Sequence, residues 1–132
     1  MKREETKTSV LIFDVDMGIL IVRAKPDVDL TLEDAELDFK TGQELVNFRK
    51  TPVLSDSREL GFTCKEVREF YARPELANSI TSMAILIDSL SGRILGNFFM
   101  KINKPPYPAK VFNSEQDAIN WLKKFVPATV EN

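Results

Sequence analysis

The sequence predicts a single α/β domain with a mixed, mostly parallel sheet, and three observations support that fold class. Two β-rich apolar runs, 10–13 and 19–22, are joined by a short segment with Asp16 and Gly18, which is typical of a β-hairpin. After the hairpin, short strands alternate with helical segments, as in parallel sheets with helical crossovers. The strands are apolar on both faces, which indicates that helices pack on both sides of the sheet. The predicted order of elements is β-β-α-β-α-β-α-β-α.

Each predicted strand is a short apolar run, and the five lie at 9–14, 19–22, 52–56, 82–88 and 110–112. Three predicted helices begin at residues whose side chains can accept hydrogen bonds from the first turn, namely Thr31, Thr63 and Asn113. The first of these runs over about 32–49, and its Gly42 permits close packing on the sheet. Glu66 and Gln116 stand three residues after the other two caps and would complete capping boxes. The remaining helix, over about 90–102, has the most regular apolar spacing.

The composition argues against several classes of function. A length of 132 residues suits one domain, which we assign to 1–132 with a core over about 8–125 and a flexible tail over 126–132. The chain has 18 Lys and Arg against 20 Asp and Glu, without the basic excess of nucleic-acid-binding proteins. It has no histidine and one cysteine, Cys64, which we expect to be half-buried and structural. We therefore predict no cofactor, no metal site and no enzyme.

The location of the protein is inferred by elimination. The charged segment 1–7 and the apolar run after it, which Asp14 and Asp16 interrupt, do not have the pattern of a signal peptide. No apolar stretch approaches the roughly 18 residues that a transmembrane helix needs. We therefore expect a cytoplasmic protein without a membrane span.

The segment 54–61 reads Leu-Ser-Asp-Ser-Arg-Glu-Leu-Gly. Together with the opening hairpin and the αβαβαβα order, it resembles the STAS domains, which have the SpoIIAA-like fold of anti-sigma-factor antagonists. The second half, with Lys-Pro-Pro-Tyr-Pro at 104–108, is similar to small uncharacterised bacterial STAS/SEC14-like proteins. The resemblance covers roughly residues 8–125. It implies a bacterial regulatory module that acts through protein–protein contacts.

The resemblance also implies a phospho-switch or partner loop at Asp56, Ser57, Arg58 and Gly61. In STAS domains a serine of this loop is phosphorylated, and Asp56 and Ser57 match the Asp-Ser of the family motif. Arg58 and Glu59 replace the second serine and the glycine, so the position after Asp-Ser cannot be phosphorylated here. Ser57 is then either the switch or an ordinary turn residue.

The acidic residues allow a second interpretation, a phospho-receiver pocket in which carboxylates hold Mg²⁺. The residues in question are Asp14, Asp16, Asp56 and Lys104. The predicted hairpin puts Asp14 and Asp16 at the wrong end of the sheet, so we expect them to shape the turn. Four arginines form either a basic patch for an acidic partner or solvated helix faces, namely Arg58, Arg68, Arg73 and Arg93.

The second half of the chain also contains a candidate interface or apolar pocket, made by Phe98, Phe99, Met100, Tyr107 and Trp121. A helix with so wide an apolar face could support a homodimer, a partner surface, or a pocket for a lipophilic ligand between helix and sheet. We expect Phe98 to lie in the core and Phe99 or Met100 to be partly exposed. The predicted partners are a protein or a second copy, with a small apolar ligand as the alternative.

Overall fold

The computed structural model describes residues 1–60 and 63–126. Within those residues, six strands form one sheet in chain order: β1 (Lys2–Glu5), β2 (Ser9–Asp14), β3 (Ile19–Ala24), β4 (Thr51–Asp56), β5 (Ile80–Leu86) and β6 (Ala109–Phe112). The first three strands are antiparallel neighbours, and β3 to β6 are parallel. The predicted α/β fold with a mostly parallel sheet is therefore confirmed.

The helices in the same part of the chain are α1 (Leu32–Leu45), α2 (Lys65–Tyr71), α3 (Leu90–Phe98) and α4 (Glu115–Leu122). Short 3-10 turns cover Pro74–Asn78 and Lys123–Phe125, and a π-helical turn continues α3 over Phe99–Asn103. The predicted hairpin is present as β2 and β3, with Phe13 opposite Leu20.

Strand β1 has no counterpart in the predicted order. Its four residues are all exposed and charged, so they carry none of the apolar alternation by which a strand is recognised. The strand forms because its backbone pairs with β2, placing Lys2 opposite Phe13 and Glu5 opposite Val10. Charged side chains on an edge strand also oppose further pairing with another sheet.

The helix boundaries differ from the prediction at three places. Helix α1 ends at Leu45, and Asn47 and Phe48 have left-handed φ values of 54° and 59° that turn the chain into β4. Cys64, not Thr63, precedes α2, and its side chain makes no capping hydrogen bond. Ser114, not Asn113, caps α4, where its hydroxyl accepts a hydrogen bond from the Asp117 amide.

Two apolar layers hold the domain together, one on each side of the sheet. Alternation along β4 directs Val53 into the layer beneath α1 and Leu54 into the layer beneath α4. Leu122 of α4 is fully buried against the second face. Coverage of both faces explains why the strands lack polar alternation, as the sequence predicts.

A buried carboxylate ties the connection between β1 and β2 to α1. Asp38 is only 4% exposed and accepts hydrogen bonds from the hydroxyls of Thr6, Thr8 and Ser9 at 2.6, 2.7 and 2.9 Å. Sequence analysis missed this contact because an aspartate on a helix is normally assigned to the solvent-facing side. The contact fixes the β1–β2 connection against the first turns of the helix.

Candidate functional site

A cleft of about 420 Å³ lies between one face of the sheet and helices α1, α2 and α3. Its lining runs from Thr51 and Ile80, at the start of β4 and β5, to Ser57 and Ile87, beyond their ends. At about 3.3 Å per strand residue, the cleft is about 20 Å long. Its volume and mainly apolar walls are typical of small-molecule sites.

Two glycines let the helices approach the sheet along the cleft. A Cβ atom on Gly42 of α1 would lie 2.9 Å from Leu20 Cδ2, and one on Gly96 of α3 would lie 3.0 Å from Val111 Cγ2. Ordinary side chains at these positions would push the helices outward. The close approach that the sequence predicts for Gly42 is therefore confirmed.

Four charged residues form a network at the carboxyl end of β4. Arg23 donates to Asp56 at 2.8 Å and makes a bidentate contact with Glu115 at 2.9 and 3.0 Å. Arg58 donates twice to Asp56, from Nε and Nη2, each at 2.9 Å, and reaches Glu115 at 3.4 Å. The network joins β3, β4, the loop after β4 and the first turn of α4.

The network lowers the pKa of both carboxyl groups. Burial by itself would raise the pKa of Asp56, but hydrogen bonds from Arg58 and Arg23 outweigh it and hold the pKa below its ordinary value. The hydrogen bond from Arg23 is the main reason why the pKa of Glu115 is also lowered. Both guanidinium groups are thus engaged by carboxylates in this state.

The predicted switch loop begins in this network. Asp56 and Arg58 are bonded to each other, and the Ser57 amide donates to the Leu86 carbonyl at 2.9 Å. Ser57 is half-buried, and its hydroxyl lies 3.4 Å from that of Ser55. Gly61, the fourth residue of the predicted loop site, lies outside the described residues. The structure therefore brings Asp56, Ser57 and Arg58 together at one end of the cleft.

The five residues of the predicted aromatic site are divided among different surroundings. Tyr107 is buried and its hydroxyl donates to the Tyr71 carbonyl at 2.8 Å. Burial is the main reason why the pKa of Tyr107 is raised. Trp121 is half-buried on α4, beside Phe112 and Phe125, on the opposite side of the sheet from the cleft. Trp121 therefore lies apart from α3, whereas Tyr107 belongs to the apolar layer on the same side of the sheet as the cleft.

The predicted burial of Phe98 on α3 is wrong. Phe98, which we expect in the core, is 44% exposed. Of Phe99 and Met100, one of which we expect to be partly exposed, Phe99 is buried and lines the cleft. Met100 is half-buried, in agreement with the prediction. Helix α3 carries two rows of apolar residues, and within each row the residues are four positions apart. The row containing Leu95 and Phe99 faces the sheet.

The other row of α3 is left on the surface. It consists of Leu90, Ile94, Phe98 and Ile102, which are 75, 61, 44 and 62% exposed. Spacing of four residues places them as neighbours along one side of the helix and its π-helical turn. We call these four residues the α3 row. Exposed apolar groups of this size commonly mark interaction surfaces.

The proposed phospho-receiver pocket is not formed. Asp14 accepts hydrogen bonds from the amides of Asp16 and Met17 at 3.1 and 3.0 Å, and so shapes the hairpin turn. Asp14 pairs with Ile19 at the start of β3, whereas Asp56 pairs at the end of that strand. The carboxylates are therefore at opposite ends of the sheet.

The described residues form neither a metal-binding cluster nor a membrane-spanning helix. Residues 1–60 and 63–126 contain no group of three or more His, Cys, Asp or Glu arranged to hold a metal ion. Among the helices of the same residues, none has the length and apolarity required to cross a membrane. Cys64 is half-buried, as expected, and its Sγ lies 3.8 Å from the Leu30 carbonyl oxygen.

The sequence alone does not predict two members of the charge network, Arg23 and Glu115. They are separated by 92 positions, and no local pattern signals that a strand residue and a helix residue will meet. The sequence also leaves open the role of Arg68, which lines the cleft from α2 with its guanidinium carbon 5.4 Å from the centre of the Phe98 ring.

Comparisons with known proteins identify a family and a similar fold. A family model described as a domain of unknown function, DUF7793, matches residues 13–126. An uncharacterised DUF3478-family protein with a SpoIIAA-like fold from Shewanella loihica PV-4 superposes with a TM-score of 0.59 at 19% identity, covering 92% of this chain and 90% of that one. This similarity confirms the SpoIIAA-like fold predicted by the STAS resemblance.

A second solved structure is a protein of unknown function from Arthrobacter sp. FB24, which is 31% identical. It covers 90% of this chain and 95% of its own, with a TM-score of 0.34. A search of curated proteins finds no significant match.

Proposed function

The chain belongs to the DUF7793 family, a domain of unknown function, and we propose from its surface residues that it is a non-enzymatic module that binds an acidic partner protein on the α3 row. The observation that carries this proposal is the exposure of Leu90, Ile94, Phe98 and Ile102 on one side of one helix. Such a row matches the way amphipathic helices and grooves recognise each other, through anchors at four-residue spacing.

The charges beside the α3 row favour an acidic partner over a second copy of this chain. Exposed Arg93 and Lys101 flank the row, and the segment 90–103 contains no acidic residue. If two copies packed α3 antiparallel, Arg93 would face Lys101 of the second copy and the like charges would repel. An acidic amphipathic segment would instead bury the row and neutralise both cations.

The test uses zero-length carboxyl-to-amine cross-linking of the tagged protein in cell extract. We expect the Lys101 amine to cross-link to aspartate or glutamate of a partner, and the Ile94→Ser, Ile102→Ser double variant to lose that product. Leu37→Ser is the matched control, because Leu37 is an apolar side chain on α1 that is 51% exposed. The Leu37→Ser variant should form the same cross-link at Lys101 as the unchanged protein.

Sedimentation of the purified protein separates the two kinds of partner. We expect a monomer mass that does not depend on concentration. A dimer that the Ile94→Ser, Ile102→Ser variant abolishes would assign the α3 row to self-association and contradict the proposal. Cross-links at Lys101 that survive in the variant would contradict it as well.

A second candidate function is the binding of a small apolar ligand, and the cleft between the sheet and α1–α3 supports it. The cleft has about 420 Å³ of space above an apolar floor that includes Leu20, Val53 and Ile85. Cavities of this size and lining bury most of a small ligand. Native mass spectrometry after gentle purification is expected to detect a retained small molecule, and displacement by an added ligand provides an independent test.

A further inference from the structure

We propose that the cleft takes an anionic amphiphile, a long-chain carboxylate whose head group binds Arg68 and whose chain lies along the sheet. This inference rests on the second candidate function above and specifies its ligand. It is drawn from the hydrogen bonds of Arg68, the state of the other charges in the cleft, and the shape of the cleft.

One edge of the Arg68 guanidinium has no hydrogen-bond partner among residues 1–60 and 63–126. Its Nη1 donates to the Thr63 carbonyl at 2.9 Å, and Phe98 covers one face of the group. Its Nε is buried and makes no hydrogen bond within the described residues, and its Nη2 makes none there either. The Nε and Nη2 donors form the side-on edge that a carboxylate binds in bidentate fashion. A buried donor without an acceptor is costly, so a ligand carboxylate that accepts a hydrogen bond from Arg68 Nε would be stabilised there.

Among the described residues that line the cleft, three arginines outnumber two carboxylates: Arg49, Arg58 and Arg68 against Asp38 and Asp56. Asp56 and Arg58 bind each other, and Asp38 is satisfied by three hydroxyls. Arg68 forms no salt bridge with any described residue, and Arg49 adds a second cation near the start of β4. A ligand with negative charge therefore complements the cleft better than a cationic one.

The walls select against a small free anion. Apart from its charged residues, the cleft is lined along much of its length by aliphatic and aromatic side chains, including Leu20, Met83, Leu95 and Phe99. An inorganic anion would leave these surfaces in water, whereas a neutral hydrocarbon would leave Arg68 Nε without an acceptor. A chain with a carboxylate at one end satisfies both parts of the site.

The test is a displacement titration with the fluorescent polyene cis-parinaric acid as the probe, and palmitate and palmityl alcohol as competitors. The two competitors share a chain and differ in the charge of the head group. We expect palmitate to bind more tightly than the alcohol. Arg68→Gln should weaken the binding of palmitate about tenfold or more, because a charge-assisted contact is lost, and should leave the binding of palmityl alcohol unchanged.

Two further variants make the result specific. Arg73→Gln is the matched control, because Arg73 is an exposed arginine that stacks on Phe70 and does not line the cleft. It should bind both competitors as the unchanged protein does. Ser55→Phe places a large side chain in the cleft and should abolish binding of both, with folding checked by circular dichroism.

The outcomes separate the inference from the function on which it rests. If palmitate and palmityl alcohol bind equally and Arg68→Gln changes neither, the anionic head group is wrong although the cleft still binds apolar ligands. If folded Ser55→Phe binds the probe like the unchanged protein, or if the unchanged protein binds none of the three compounds, ligand binding in the cleft is itself wrong.

Discussion

Replacing Asp38 by alanine should strongly destabilise the domain, because three hydroxyl groups depend on its carboxylate. Thr8 and Ser9 are 1 and 4% exposed, and their hydroxyls donate to Asp38 at 2.7 and 2.9 Å. Each would be left buried without an acceptor, at a cost of about 1–3 kcal/mol. The cost at the half-buried Thr6 hydroxyl is smaller, since the Ser9 carbonyl oxygen, 3.4 Å away, can still accept its hydrogen bond.

Removing the carboxylate also removes the cost of burying its charge, which offsets part of the loss. We therefore expect Asp38→Ala to lower the free energy of unfolding by about 2–4 kcal/mol. Asp38→Asn retains one carbonyl oxygen as an acceptor and should lose about half as much.

The assay is urea unfolding followed by circular dichroism, with the free energy obtained by linear extrapolation. Asp16→Ala is the matched control, because Asp16 is an exposed residue in the hairpin turn and its side chain makes no hydrogen bond to any described residue. Its free energy of unfolding should change by less than about 0.5 kcal/mol. An Asp38→Ala variant as stable as this control would refute the argument that the three hydroxyls need the carboxylate.

Three further predictions concern the charge network, α3 and the loop after β4. Since the folded pKa values of Asp56 and Glu115 are lowered, their stabilising contribution is complete above the ordinary carboxyl pKa and is lost as the pH falls. The urea concentration at the unfolding midpoint should therefore fall at pH values below about 4.5. An equal fall in the Asp56→Asn, Glu115→Gln variant would contradict this prediction. Gly96→Ala should lower the free energy of unfolding in urea by about 1–2 kcal/mol, because the alanine Cβ would crowd Val111, although alanine has the better helix propensity. A gain in stability would contradict this prediction. Phosphosite mapping after incubation with lysate and ATP should label Ser57 if the loop is a switch, and labelling elsewhere alone would remove that hypothesis.

The fold class could be predicted because its signals are local. Strand β4 is recognisable as a short apolar run and helix α1 by its helical spacing of apolar residues, and Thr31 caps α1 as predicted. Strand β1 could not be found in the same way, because its pairing with β2 uses backbone groups and leaves four charged side chains exposed. Asp38 was missed for the related reason that its partners come from 29 to 32 positions away.

The candidate sites depended more heavily on the tertiary structure. The α3 aromatic residues were recognised as a surface or pocket, but the spacing of apolar residues fits either of two rows facing the sheet. Packing of Gly96 against Val111 decides between them, burying Phe99 and exposing Phe98. The cleft lining, and the edge of Arg68 that has no partner in the described part of the chain, involve residues from separate strands and helices, so no single segment carries a signal for them.

The amino-acid sequence by itself determined an α/β domain with a hairpin, buried strands and helices on both faces, because those features follow from apolar runs and helical spacing within short segments. The tertiary structure alone decided that Arg23 meets Glu115 across 92 positions, which row of α3 stays exposed, and how much space remains between helices and sheet. These outcomes depend on how whole elements pack, and packing is a sum over contacts between residues that are distant in the chain.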